Sequence, residues 1–184
     1  GYAWVCLDEA PLSNVPDFPE MADPAFRLIQ QFWEPWATAG LRVMENSFDN
    51  AHFSFVHRAS FGDVGHPEPA RLTIEEDDTG FVMRSDVPVV NPEAQKKLLR
   101  MDDARTVRHM TASWYMPFGR RLNIRYPNGL VHSIVTWATP VDDRTSQICQ
   151  FVMRNDTEAD ARAEDIIAFD RQVTGEDRNI LEST

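Results

Sequence analysis

The chain has 184 residues, is 42% hydrophobic and carries a formal net charge of -11, which suits one domain built on one substantial core. That acidity opposes nucleic acid as a partner, because phosphate binding rests on clustered Lys and Arg that displace condensed counterions. Charge or proline breaks every apolar stretch well short of the roughly 20 residues that span a bilayer, and Cys6 and Cys149 form neither a CxxC nor a Cys/His pairing, so a soluble protein of the reducing cytoplasm, without disulfides or zinc, is expected.

The chain opens on Tyr2-Ala3-Trp4-Val5-Cys6-Leu7 without an initiator Met or a charged leader, and closes inside a helical pattern at Ile180-Leu181. It is therefore expected to be a piece of a longer polypeptide. Residues 1–7 read as a strand. Residues 8–24, with Pro11, Pro16, Pro19 and Pro24 among acids, read as an extended interdomain linker, which leaves 25–184 as the main domain. A bulky run follows from Phe26 to Trp36. Leu41, Met44, Phe48 and Ala51 then recur at helical spacing, so one buried helix is predicted over 41–51.

Two β-rich runs, 70–76 and 81–87, flank the turn Asp77-Asp78-Thr79-Gly80 and predict a hairpin. Residues 88–106, rich in charge, read either as a flap or as a solvated loop with a short helix. Strands are expected at Val107–Met116, Leu122–Tyr126, Leu130–Ala138 and Ser146–Arg154, with Pro127-Asn128-Gly129 as a strong hairpin signal. An antiparallel meander is the simplest topology. From an Asp156/Thr157 cap the pattern turns helical, and Ile166, Ile167, Phe169, Val173 and Ile180 suit a helix laid on that sheet. The class is α+β, and no repeat or low-complexity segment appears.

Chemistry concentrates in Glu45-Asn46-Ser47-Phe48-Asp49-Asn50-Ala51-His52-Phe53-Ser54-Phe55-Val56-His57. On a continuous helix Asn46, Asp49 and His52, three residues apart, share one face. Among so many apolar neighbours, buried polar groups there need partners, and a metal would satisfy them. His57 falls about 140° from His52 on an ideal helix, so the helix has to end or loosen for both imidazoles to reach one ion. Two imidazoles and one carboxylate make the facial triad of non-heme Fe(II) sites. For the carboxylate, Asp165, Asp170, Glu176 and Asp177 of the last helix remain open.

Asn46-x-x-Asp49-x-x-His52-x4-His57 resembles the iron-binding signature of Rieske-type non-heme iron oxygenase α-subunits, and Glu176-Asp177-x-x-Ile180-x-Glu182 is similar to their closing motif. The resemblance implies His52, His57 and Asp177 as ligands of a mononuclear Fe(II). It implies Asp49 as the bridge that passes electrons from a neighbouring subunit's cluster, and Asn46 as a residue close to the iron. It also implies a helix-grip (Bet v1/START-like) fold, an antiparallel sheet of six or seven strands curved around a long C-terminal helix. Residues 1–24 would be the end of a Rieske domain and its linker, and 25–184 the catalytic domain. The Cys/His pairs that hold the [2Fe–2S] cluster are absent from these residues, so that cluster belongs to the full-length protein. There, electrons from NAD(P)H through a reductase or ferredoxin would drive O2-dependent hydroxylation or demethylation of a small organic substrate, aromatic ones included. The Trp4-Val5-Cys6-Leu7 run and the proline-rich linker look most like the homotrimeric members.

The bland readings are two core or surface histidines, and solvated helix carboxylates at Asp49 and Asp177. His66, His109 and His132 stand alone and receive no metal role. Phe118, Tyr126, Trp114 and Trp137 are read as core rather than cavity wall. Two rivals remain: a helix-grip module that binds a hydrophobic ligand without catalysis, and a zinc hydrolase, which lacks a placed general base.

Overall fold

The structure, a computed structural model, describes residues 2–11, 14–78 and 80–184. In chain order the elements are α1 (Pro19–Ala22), β1 (Arg27–Trp36), α2 (Gly40–Phe48), α3 (Phe53–Val56), β2 (Leu72–Asp77), β3 (Gly80–Val90), α4 (Glu93–Leu99), β4 (Arg105–Tyr115), β5 (Gly119–Arg125), β6 (Val131–Asp142), β7 (Thr145–Arg154) and α5 (Ala163–Leu181). The strands form one seven-stranded sheet in the order β1-β7-β6-β5-β4-β3-β2, with every neighbouring pair antiparallel. The meander expected from β2 to β7 is present. The bulky run from Phe26 closes it as β1, beside β7.

Period-two alternation sends Met110 and Ala112 of β4, Leu122 and Ile124 of β5, and Ile148 and Val152 of β7 toward the helices. From α5, the residues facing them recur at helical spacing: Ile166, Asp170, Val173, Asp177 and Leu181. Ile166 and Leu181 are buried in separate apolar clusters and Val173 packs on a third. The predicted apolar face thus runs through Leu181, not through Ile180, which is exposed. Two carboxylates lie on that inward face, which places the site between sheet and helix.

Three local expectations are corrected. Tyr2–Leu7 form no strand; instead Tyr2 packs its ring on Phe151 and Trp4 meets Trp137 edge-on at 4.8 Å, on the sheet face away from α5. Gly1, Leu12 and Ser13, within the predicted strand and linker, and Thr79 of the predicted turn lie outside the described residues. The linker holds one helical turn, α1, whose buried Glu20 pairs with Arg121 and accepts from Asn123 of β5. Finally, the last helix starts at Ala163, not at Thr157. Asp156 is taken by Arg27 and Arg154, and Thr157 closes a separate turn with Asp160; the Glu158 carboxylate then accepts the Ala163 N–H.

Residues 88–106 resolve into the end of β3, α4 and a return. Gln95, Leu98 and Leu99 of α4 are buried, so this is a packed element of the wall. Tyr126 is buried as expected of core and also lines a cavity.

The helix predicted over 41–51 ends at Phe48. Asp49 adopts extended backbone and its carboxylate accepts the Ala51 N–H, an Asx-type turn that competes with helix continuation. Asp49 and His52 therefore leave the helix that carries Asn46. The chain re-enters a single turn, α3, with His52 and His57 as its flanking residues. Gly62 then lays its backbone across that turn: its N–H donates to His57 O at 2.7 Å, and a Cβ there would crowd Phe53 O and stand 2.9 Å from the His57 carbonyl carbon. Gly62→Ala should therefore cost about 1–3 kcal/mol, read as a lowered midpoint in chemical denaturation; an unchanged midpoint would show that the turn yields freely.

Candidate metal centre

His52, from the start of α3, and His57, from its end, turn their Nε2 atoms to one point, 3.2 Å apart. Asp177 of α5 completes a triangle, its Oδ1 lying 3.4 Å from His52 Nε2 and 3.2 Å from His57 Nε2. Among the described residues these three form the group of donors able to hold one cation. Donor atoms that share one small divalent ion stand about 3 Å apart, so His52, His57 and Asp177 would hold such an ion here.

Each imidazole has a carboxylate at its other nitrogen. His52 Nδ1 lies 3.2 Å from Asp49 Oδ2, and His57 Nδ1 lies 2.8 Å from Glu176 Oε2. A carboxylate there draws the proton to Nδ1, leaving Nε2 as a lone pair. With both protons held at Nδ1, two lone pairs and a carboxylate oxygen meet and a cation satisfies all three; without a cation, an imidazole proton facing Asp177 takes that place.

Of the four open carboxylates, Asp177 joins the histidines. Asp165 lies near Arg162 at the helix start, and Asp170 accepts from Gln31 and lies 3.3 Å from His132 Nε2. Glu176 and Asp177 are adjacent on α5, so they point about 100° apart and take opposite nitrogens of the same His57 ring. Glu176 also accepts from Ser60 Oγ at 2.7 Å. Sequence spacing offers Glu176 only as a candidate ligand; two adjacent acids on a helix opposite a histidine are the signal for this clamp. Asn46 donates through Nδ2 to Asp177 Oδ1 at 3.0 Å and so orients that carboxylate. His66 and His109 pair with Asp63 and Asp86 at the surface, and His132 is buried beside Arg154, away from the triangle.

Burial pushes the Asp177 carboxyl up, but hydrogen bonds from His52 and His57, the His57 charge and Asn46 hold it well below the usual carboxylate range. For His57, burial favours the neutral ring, yet the hydrogen bonds and charges of Asp177 and Glu176 outweigh it and raise its pKa above 6.5. Arg120, with no acid in ion-pair contact among the described residues, is pushed down to about 10 by burial, against the pull of the Asp177 charge. A cavity opens on the triangle between sheet and α5, walled by Phe53, Phe61, Met110, Leu122 and Val173 among others.

The family model described as vanillate O-demethylase oxygenase C-terminal domain matches residues 36–184. Methylxanthine N1-demethylase NdmA of Pseudomonas putida is 25% identical over 187 residues, covering 100% of this chain and 50% of that protein. The chain thus spans about half the length of that relative. Among solved structures, the Pseudomonas putida CBB5 NdmA QL mutant with theobromine aligns over 93% of this chain and 46% of its own, with TM-score 0.71 and 23% identity. Dicamba monooxygenase bound to dicamba aligns over 95% of this chain and 53% of its own, with TM-score 0.74 and 17% identity; at these identities the likeness is one of fold.

A folded-state pKa raised at His57 gives stability that is complete below 6.5 and is lost as pH rises through the higher folded value. The depressed Asp177 acts only in the acid range, below its ordinary 3.8. With a chelator present, the thermal midpoint should therefore fall as pH is raised from 6.5, and His57→Gln should flatten the fall. A midpoint that climbs over that range would show that His57 is already neutral in the metal-free fold.

Proposed function

The chain belongs to the vanillate O-demethylase oxygenase C-terminal domain family of the Rieske-type non-heme iron oxygenases, and on that premise we propose that it is the catalytic half of a terminal oxygenase holding a mononuclear Fe(II) on His52, His57 and Asp177. The observation that carries this reading is the triangle of donor atoms with a carboxylate behind each imidazole. The donor set suits ferrous iron, since two imidazoles and one carboxylate on one face leave positions free. Iron bound there would supply the activation of O2 that hydroxylation or demethylation of a small organic substrate requires.

The remaining steps fall to the chain's own side chains. Asn46 fixes Asp177 by hydrogen bond. Asp49 and Glu176 keep the Nδ1 protons in place and so present Nε2 of each ring. Phe53 and Phe61 wall the site with apolar surface and exclude water from it. The Asp49 side chain is 48% exposed while it contacts His52, which supports its reading as the bridge for electrons from a [2Fe–2S] cluster on a neighbouring subunit. In this proposal the full-length protein is a cytoplasmic homotrimer fed from NAD(P)H through a reductase or ferredoxin. Residues 1–24 are then the end of the Rieske domain and its linker, and 25–184 the catalytic domain. The start of β1, the first strand of the sheet in chain order, at Arg27 supports that division. No helix among the described residues is long and apolar enough to cross a membrane.

The test uses the full-length protein loaded with Fe(II) without oxygen. His52→Ala and His57→Ala should each remove most of the iron, measured by ferrous chelation, whereas Asp49→Asn should keep it and abolish reductase-coupled turnover. Iron retained by both histidine variants would end the proposed centre and favour the non-catalytic binding module; iron lost from Asp49→Asn would make that residue a structural support. Glu176→Gln should weaken iron binding about 10- to 100-fold through His57, and an unchanged affinity would show that Ser60 and packing suffice to orient the ring.

A further inference from the structure

The strands that wall the metal-facing cavity have a second face, and residues ahead of β1 are fastened to it. Along β5, Arg120, Leu122 and Ile124 line the cavity, while Arg121 and Asn123 alternate to the other face and hold Glu20 of α1. β6 and β7 divide in the same manner. Ile134 and Gln150 line the cavity, whereas Val135, Trp137 and Phe151 pack around Phe18. Phe18 is 3% exposed, its ring edge-on to Tyr115, Trp137 and Phe151 at 5.9, 6.3 and 5.9 Å. The Tyr2 hydroxyl donates to Gln150 O at 2.8 Å.

Two kinds of contact are present, and they constrain the linker differently. The aromatic seat is apolar and non-directional, so it holds Phe18 without fixing its register. The Glu20 carboxylate is directional, and its Oε1 accepts from both Arg121 and Asn123. Burial pushes the Glu20 carboxyl up, but hydrogen bonds and the Arg121 charge hold it below its ordinary value, so the pair is ionised. Glu20 Oε2 and Arg121 Nε are nevertheless buried without partners among the described residues. A buried pair completed only in part adds little stability. What it adds is a single seat, because sliding α1 by one residue would leave both charges buried and unpaired.

We propose that Glu20 is a positioning residue, which seats the linker in one register on the back of the cavity wall and so sets the direction from which the preceding domain presents its cluster to Asp49 of a neighbouring subunit. A domain on a loose tether would occupy the productive orientation for only a fraction of the time, and the rate of electron delivery would fall by that fraction. Phe18 supplies the adhesion and Glu20 the register.

This inference rests on the oxygenase reading for the nature of the preceding domain, and its test separates the two. In the full-length protein the cluster is reduced chemically without oxygen and then mixed with O2. Its reoxidation is followed with the His52, His57 and Asp177 site loaded with Fe(II) and with it emptied; the iron-dependent part of the rate reports delivery to the iron. Amide hydrogen exchange over residues 14–24 reports the seat independently. Glu20→Leu combined with Arg121→Met replaces the pair by apolar groups of similar volume, which should leave the denaturation midpoint and the iron content unchanged. Exchange over 14–24 should rise at least about tenfold, and iron-dependent reoxidation should slow at least about tenfold. Unchanged exchange, a released linker with undiminished delivery, or loss of iron alongside the slowing overturns the proposal. Glu20→Gln, which keeps the shape and loses the charge, should move both readouts the same way by less, and it decides the matter if the double variant does not fold. An unaltered protein without an iron-dependent phase would sink the oxygenase reading, while exchange still decides whether Glu20 seats the linker.

Discussion

The site depends on one electrostatic constraint, that three electron-pair donors from two distant parts of the chain are held within 3.4 Å of one another at a partly buried point. Without a cation, such a cluster coheres only where an imidazole proton lies between its members. It persists because each donor is fixed from behind, His52 by Asp49, His57 by Glu176 and Asp177 by Asn46, and because α5 cannot withdraw without opening the apolar clusters around Ile166 and Leu181. Burial of a large aliphatic side chain contributes about 1.5–3 kcal/mol, so several such contacts along α5 suffice to hold one unfavourable convergence in place.

The same logic governs the other charges between sheet and helix. Arg154, fully buried, is matched by Asp156 and also donates to Leu98 O, tying β7 to α4. Asp170, on the inward face of α5, takes the Gln31 amide and faces His132. Buried charge is tolerated where a partner closes it. Arg108 departs from this rule and Arg120 nearly does, having only a 3.4 Å bond to Thr136 Oγ1. Both departures line the cavity that opens on the triangle.

The frame that produces this geometry is shared with solved structures at 17–23% identity. A sheet curved against one long helix fixes where strand residues point and leaves their identity open. Recognition of the family therefore speaks to the metal and its supports, and the cavity lining speaks to the substrate.

Much of the site was legible because it is local. His52 and His57 are five residues apart, and the demand that the helix break between Asn46 and them follows from 3.6 residues per turn; the Asx-type turn at Asp49 is the break. Strands β2 to β7 were legible from alternation and from turn residues such as Pro127-Asn128-Gly129. Four things were not legible from local pattern, although the motif resemblance points to Asp177. The start of α5 depended on Arg27 and Arg154 taking Asp156 from a distance, which no local cap rule contains. The choice of Asp177 among four acids depended on the rotational setting of α5 against α2, fixed by Ile166, Val173 and Leu181 packing into three apolar clusters whose members reach back to Ile29, Phe61 and Phe32. The isolation of Arg108 and the clamp of Glu176 on His57 likewise exist only once the sheet has closed. Sequence determined which groups were available and how neighbours within a few residues face one another, because backbone geometry is local; tertiary structure decided which of them meet, because that depends on the register of strands and helices joined only through the core.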